Sequence, residues 1–158
     1  MKRISDMINR AAEMAVLIVI SAMAVDVFFE VIFRYVLHLP LFWTEEFARY
    51  CLVWSSLLAA GIALKRGQHI ALTFVAERFP KRIRTAAGLG GDLFVAIMLA
   101  VILWGGIYLV LLTRHQLSPA MRLPMSLPYM AIPTGSAVML FHALTSIYRR
   151  SREIFGQS

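Results

Sequence analysis

The residues of this chain best equipped for chemistry are acids and arginines set inside apolar stretches. Asp26, Glu30 and Arg34 follow one another at intervals of four, so in a helix they share a face. Glu45 and Glu46 precede Arg49 by four and three residues, which places the arginine between them, one turn deeper. An ionisable group near the centre of a bilayer costs about 2.5–3.5 kcal/mol on insertion scales, so each needs a partner or a wet cavity. Two chemistries fit: a path for a proton or cation, or ion-paired glue between helices. Asp26 on an outgoing helix and Arg49 on the returning one both lie ~12 Å from the same end. Asp26, Glu30, Glu45, Glu46 and Arg49 are therefore expected to form one cluster. By the same matching of depths, Asp92 is expected to meet Lys65 or Arg66.

The elements that must position these groups follow from hydropathy. The chain has 158 residues, of which 59% are apolar, and this excess over an ordinary soluble domain is a membrane signal. Apolar runs cover residues 11–33, 41–64, 86–112 and 124–147. Each is long enough to cross the hydrocarbon as a helix, and none alternates with the period of a strand. The expected fold is all-α, a single transmembrane domain built as an integral membrane four-helix bundle. Four spans and their connections nearly exhaust the length, which leaves no room for a soluble enzymatic domain. A signal-peptide reading of the first run rests on Lys2, Arg3, Arg10 and Ala22-Met23-Ala24. The run continues through Phe33 and three more spans follow, so an uncleaved first span is expected.

The net charge of +7 follows the edges of the runs and is not a nucleic-acid signal. Lys2, Arg3 and Arg10, the six basic residues between Lys65 and Arg84, and the three of the tail fall on one side. Arg34, Arg114 and Arg122 fall on the other. The positive-inside rule then places both termini in the cytoplasm. In residues 68–84 the apolar Ile70, Leu72, Phe74, Val75 and Phe79 are followed or interrupted by the basic Arg78, Lys81, Arg82 and Arg84, and an interfacial helix on the anionic leaflet is expected. Pro133 lies within the fourth run and is expected to kink it.

The second run is two-faced. Arg49, Ser56, Ala60 and Ala63 fall on one line, and this charged and small stripe is expected inside the bundle. Trp43, Phe47, Tyr50 and Trp54 fall on the opposite line and are expected to face lipid or a partner protein. Trp54 sits ~16 Å deeper than Trp43, too deep for an interfacial belt.

The stretch Trp43-Thr44-Glu45-Glu46-Phe47-Ala48-Arg49-Tyr50, with Phe33-Arg34-Tyr35 before it and Lys65-Arg66-Gly67-Gln68-His69-Ile70 after it, resembles the small membrane subunit of TRAP transporters. These are the tripartite ATP-independent periplasmic transporters of bacteria and archaea. Leu123-Pro124 and Tyr129-Met130-Ala131-Ile132-Pro133-Thr134-Gly135 also resemble that family's last span, so the likeness covers most of the chain. One departure is Thr73, where the family often carries an acid after the His-Ile pair. The resemblance implies a cytoplasmic (inner) membrane location and two partners, a large multi-span membrane subunit and a periplasmic substrate-binding protein. It also implies that the large subunit carries the substrate and sodium sites, the substrate usually being an organic acid. The small subunit is then a brace that helps dock the binding protein. On that account the charged cluster is glue, and the aromatic stripe is a contact with the large subunit.

Two other functions are weighed. His38, His69, His115 and His142 supply imidazoles for a haem bundle, but only His142 lies within a span. A self-sufficient proton-coupled exporter would use Asp26 or Glu30 as its coupling acid. No Gly-rich phosphate loop, paired-cysteine metal site or nucleophile elbow is present, and Cys51 is the lone cysteine. Neither an enzyme nor a cofactor is expected.

Overall fold

The computed structural model describes residues 2–67 and 81–155. Its elements are α1 (Lys2–Tyr35), α2 (Thr44–Gly67), α3 (Lys81–Thr113), the single turn α4 (Ser126–Tyr129) and α5 (Ala131–Phe155). Four stretches are long and apolar enough to cross a membrane: Ser5–Tyr35, Thr44–Lys65, Gly88–Thr113 and Ser126–Tyr148. The all-α, four-span fold read from hydropathy is the fold observed. Of the expected interfacial helix, residues 68–80 lie outside the described residues, and residues 81–84 open α3.

The basic head, residues 2–10 ahead of the first apolar run, forms the first turns of α1. It is held by the far ends of other helices. Lys65 donates to the Asp6 carboxylate at 2.7 Å and to the Ser5 carbonyl at 3.0 Å. The Ser5 hydroxyl lies 3.3 Å from Nδ1 of buried His142. At its other end α1 unwinds: Leu37 N–H reaches Ile32 O at 3.2 Å, and Leu39 N–H reaches Phe33 O at 2.9 Å. His38 takes a left-handed conformation (φ 55), and Pro40 stops the helix from resuming. The chain turns back into α2, where the Thr44 hydroxyl donates to Leu41 O at 2.9 Å. Glu45 and Glu46 fill the first turn, where negative charge suits the helix dipole.

Pro133 does not kink a continuous fourth helix. The break falls earlier, at Met130 between α4 and α5, and Pro133 sits in the first turn of α5. There its missing N–H has no intrahelical partner to lose. Thr134 N–H still reaches back to Met130 O at 3.1 Å, so the two helical pieces run on as one span.

α1 packs along α2, α2 along α5 and α5 along α3, so the bundle is opened into a row with α1 and α3 at its ends. Close approach replaces bulk in the middle of this row. A Cβ on Gly135 of α5 would stand 2.9 Å from Leu57 Cβ and 3.3 Å from Leu57 O on α2. A Cβ on Gly106 of α3 would stand 2.9 Å from the Ile132 side chain. The buried core, Ala96, Leu99 and Ala143, joins α3 to α5. The ends of the row present large apolar side chains outward, such as Leu17, Ile18 and Phe28 on α1 and Phe94, Val101 and Trp104 on α3.

Gly135→Ala is therefore expected to destabilise the isolated protein in detergent by about 1–3 kcal/mol, because the neighbour that must give way includes backbone. Gly91→Ala, with open space around the new methyl, is expected to leave stability unchanged or slightly raised. Thermal unfolding followed by circular dichroism distinguishes the two, and equal responses would contradict the close packing of α2 on α5.

Candidate functional site

The five residues expected as one cluster are divided among separate tasks. Arg34, in the last turn of α1, bonds Glu30 at 2.5 Å and reaches across the turn to Glu45 at 3.0 Å. Glu45 is mostly exposed, and this bridge clips the ends of α1 and α2 together at the rim.

Glu46 turns the other way and is buried. Its Oε2 accepts the backbone N–H of Ala120 at 2.9 Å and of Met121 at 3.1 Å. Its Oε1 accepts the Tyr50 hydroxyl, which also lies 3.6 Å from Met125 Sδ. The donors of Oε2 belong to a hairpin between α3 and α4. Ser118 N–H bonds Leu123 O at 2.8 Å and Met125 N–H bonds Gln116 O at 2.8 Å. Leu123 N–H bonds the Ser118 hydroxyl at 3.1 Å, and Arg122 turns the loop in a left-handed conformation (φ 52). Two successive amides aimed at one carboxylate form an anion-binding concavity, here filled by the protein's own side chain. Glu46 is thus a latch between α2 and the α3–α4 hairpin, not a partner of α1.

Arg49 does not stand between the two glutamates. It is exposed and makes no ion pair among the described residues. Arg34 already holds Glu45, and the Ala120 and Met121 amides of the hairpin hold Glu46. Asp26 is buried on α1, beside buried Cys51 of α2, and its Oδ2 has no hydrogen-bond partner. Among the described residues no arginine joins it to the rest. Asp92 accepts from Ser146 at 3.0 Å, tying α3 to α5, whereas Lys65 pairs with Asp6. The side chain of Arg66, and all of Gln68 and His69, lie outside what is described; Gly67 ends α2.

The two faces of α2 are reversed from expectation. Ser56, Ala60 and Ala63 are exposed with Arg49, while Phe47, Tyr50 and Trp54 are half-buried; Trp43, edge-on against Phe47, stays exposed as expected. The reason is the row of helices. α2 has neighbours on two sides: Cys51, Ser55 and Leu58 lie buried on the line that faces Asp26 of α1, and Leu57 and Gly61 meet α5. Tyr50 is drawn inward by Glu46. Sequence reasoning missed Ser118, Ala120, Met121 and Ser5, and weighed His142 as a haem ligand rather than as the partner of Ser5. Ser118-Pro119 and Leu123-Pro124 mark a turn, but no sequence pattern says that its amides meet an acid more than seventy residues earlier. Among the described residues no group of three or more His, Cys, Asp or Glu can hold a metal ion.

Residues 23–153 match the family model described as tripartite ATP-independent periplasmic transporters, DctQ component. The chain belongs to the DctQ family. The match runs from the middle of α1 nearly to the end of α5. Its relatives include the isethionate TRAP transporter permease protein DctMQ of Oleidesulfovibrio alaskensis, 32% identical over 66% of this chain but only 17% of that protein. The sialic acid TRAP transporter small permease protein SiaQ of Vibrio cholerae is 26% identical over 100% of this chain and 91% of its own length. The C4-dicarboxylate TRAP transporter small permease protein DctQ of Rhodobacter capsulatus is 34% identical over 66% of this chain and 47% of its own. The resemblance carried by the Trp43–Tyr50 block is therefore a family membership. This DctQ chain is a multi-pass inner-membrane component of a transporter and not an enzyme.

Glu46→Ala is expected to lower the unfolding midpoint of the isolated protein clearly more than Arg34→Ala does. It strands two backbone donors and a tyrosine hydroxyl, whereas the Arg34 bridge is open to solvent. Hydrogen exchange at the Ala120 and Met121 amides should accelerate in Glu46→Ala alone; unchanged protection there would refute the latch. Asp26→Leu is expected to keep or raise the midpoint, since it removes a buried carboxyl oxygen that has no partner. A sharp fall would show that Asp26 has an essential partner.

Proposed function

We infer that this chain is the scaffold subunit of a sodium-coupled, binding-protein-dependent secondary transporter for organic acids. It braces a large transport subunit and helps dock a periplasmic binding protein. The observation that carries this reading is the use of the ionised groups within the spans. Arg34 holds Glu30 and Glu45, the hairpin holds Glu46, and Lys65 holds Asp6, so these charges join helix to helix and do not line a path. The names of the relatives support the rest. Isethionate, sialic acid and C4-dicarboxylates are all organic anions, and DctMQ carries its similar region within a much longer permease chain.

Both termini lie in the cytoplasm on this reading, because the basic residues crowd the ends that Lys65 and the head share. The α1–α2 turn and the Glu46-latched hairpin then face the periplasm, where a binding protein can meet them. A maleimide that cannot cross membranes should label His115→Cys from outside in intact spheroplasts, and labelling only after lysis would invert the topology.

Asp26 favours the self-sufficient exporter, since a buried acid whose Oδ2 meets no hydrogen-bond partner among the described residues is what proton coupling requires. Reconstitution separates the two. Uptake into liposomes should need this chain, the large subunit, the binding protein and a sodium gradient together. Transport by this chain alone, abolished by Asp26→Asn, would replace the scaffold with the exporter.

A further inference from the structure

We propose that the exposed face of α2 running from Arg49 to Ala63 is the seat of a single transmembrane helix of the large subunit, which presents an acidic side chain to Arg49. The proposal rests on the scaffold reading and adds to it which surface does the bracing.

At 3.6 residues per turn, Glu45, Arg49, Leu52, Ser56, Ala59, Ala60 and Ala63 fall within a sector of about 100°. Every one of them is exposed. The sector lies between the line of α2 that packs on α1 and the line that packs on α5, so it opens on a broad side of the row. The same molecule shows what its lipid-facing surfaces look like. The outward faces of α1 and α3 carry Ile18, Phe28, Phe94, Val101 and Trp104. On α2 only Leu52 is of that kind. Below it the side chains shrink to Ser56, Ala59, Ala60 and Ala63, and the Ser56 hydroxyl is satisfied by Val53 O at 3.0 Å. Such a surface gains little from lipid tails and allows a partner backbone to come close.

Charge complementarity decides the occupant. Glu45, at the head of the sector, is neutralised by Arg34. Arg49, one turn deeper, is the cation of this face that no acid of the chain meets among the described residues. A guanidinium facing hydrocarbon is costly, and a carboxylate opposite it removes that cost with paired hydrogen bonds. A second copy of this chain would bring a second Arg49 to the same level when packed face to face, which repels. A different membrane chain bearing an acid fits.

The test uses the tagged chain co-expressed with its large subunit. Ala60→Trp and Arg49→Glu should each reduce the large subunit recovered at least tenfold. Arg49→Lys should retain most of it, and Val101→Trp on the exposed face of α3 should recover wild-type amounts. Recovery of the full amount with Ala60→Trp, or an equal loss with Val101→Trp, would overturn the assignment. To exclude misfolding as the cause, Ser56→Cys carrying a benzophenone maleimide is irradiated in the assembled complex. An adduct with the large subunit is expected; an adduct with a second copy, or none, would overturn the proposal. If the wild-type chain brings down no large subunit at all, the scaffold reading itself fails.

Discussion

A carboxylate placed where water is scarce must find its donors in the protein, and Glu46 finds them in a loop rather than in a neighbouring helix. The Ala120 and Met121 amides belong to the turn that joins α3 to the α4–α5 span, while Glu46 belongs to the first turn of α2. One side chain therefore fixes the second span to the connection between the third and fourth. Much else at this end depends on it. Tyr50 points inward because Glu46 accepts its hydroxyl, and Met125 is held beside that hydroxyl. The opposite end is closed by a different set, Lys65 with Asp6 and Ser5 with His142. Between the ends α5 meets α2 and α3 through close glycine contacts and a small apolar core.

The row of four helices explains why so little of the chain is buried. A helix in a row has at most two neighbours, and α1 and α3, at its ends, have one each along most of their length. Large side chains on the end helices then have nothing of this chain to pack against, and lipid or another protein must cover them. A surface so extended relative to its core suits a part that spreads load against a larger body.

Hydropathy made the spans legible, because satisfying every backbone group inside a bilayer leaves only helices for runs of this kind. It did not reveal that the basic head continues α1, since the partners that hold it, Lys65 and His142, are 60 and 137 residues away. The pairing of Glu30 with Arg34 was readable from their spacing, being local. Glu45, Glu46 and Arg49 looked equally local and were not: spacing of three and four brings side chains to one side of a helix but does not choose among competitors. Arg34 and the hairpin won both acids. Pro133 shows the same limit, since a proline inside an apolar run marks a bend only if the helix has already begun, and here α5 starts two residues before it.

The reversal of the α2 faces has a general cause. A stripe of small residues within a membrane span signals close helix contact, and the natural inference places that contact within the chain. In a subunit evolved to sit against another, the closest contact is free to lie outside it. Inside the row, α2 meets α5 through Leu57 and Gly61 and meets α1 along Cys51, Ser55 and Leu58, so its neighbours in the chain are already accounted for. The small residues and Arg49 are what is left over. A sequence records that two surfaces are built for packing; only the arrangement of the other helices tells which of them the chain itself fills.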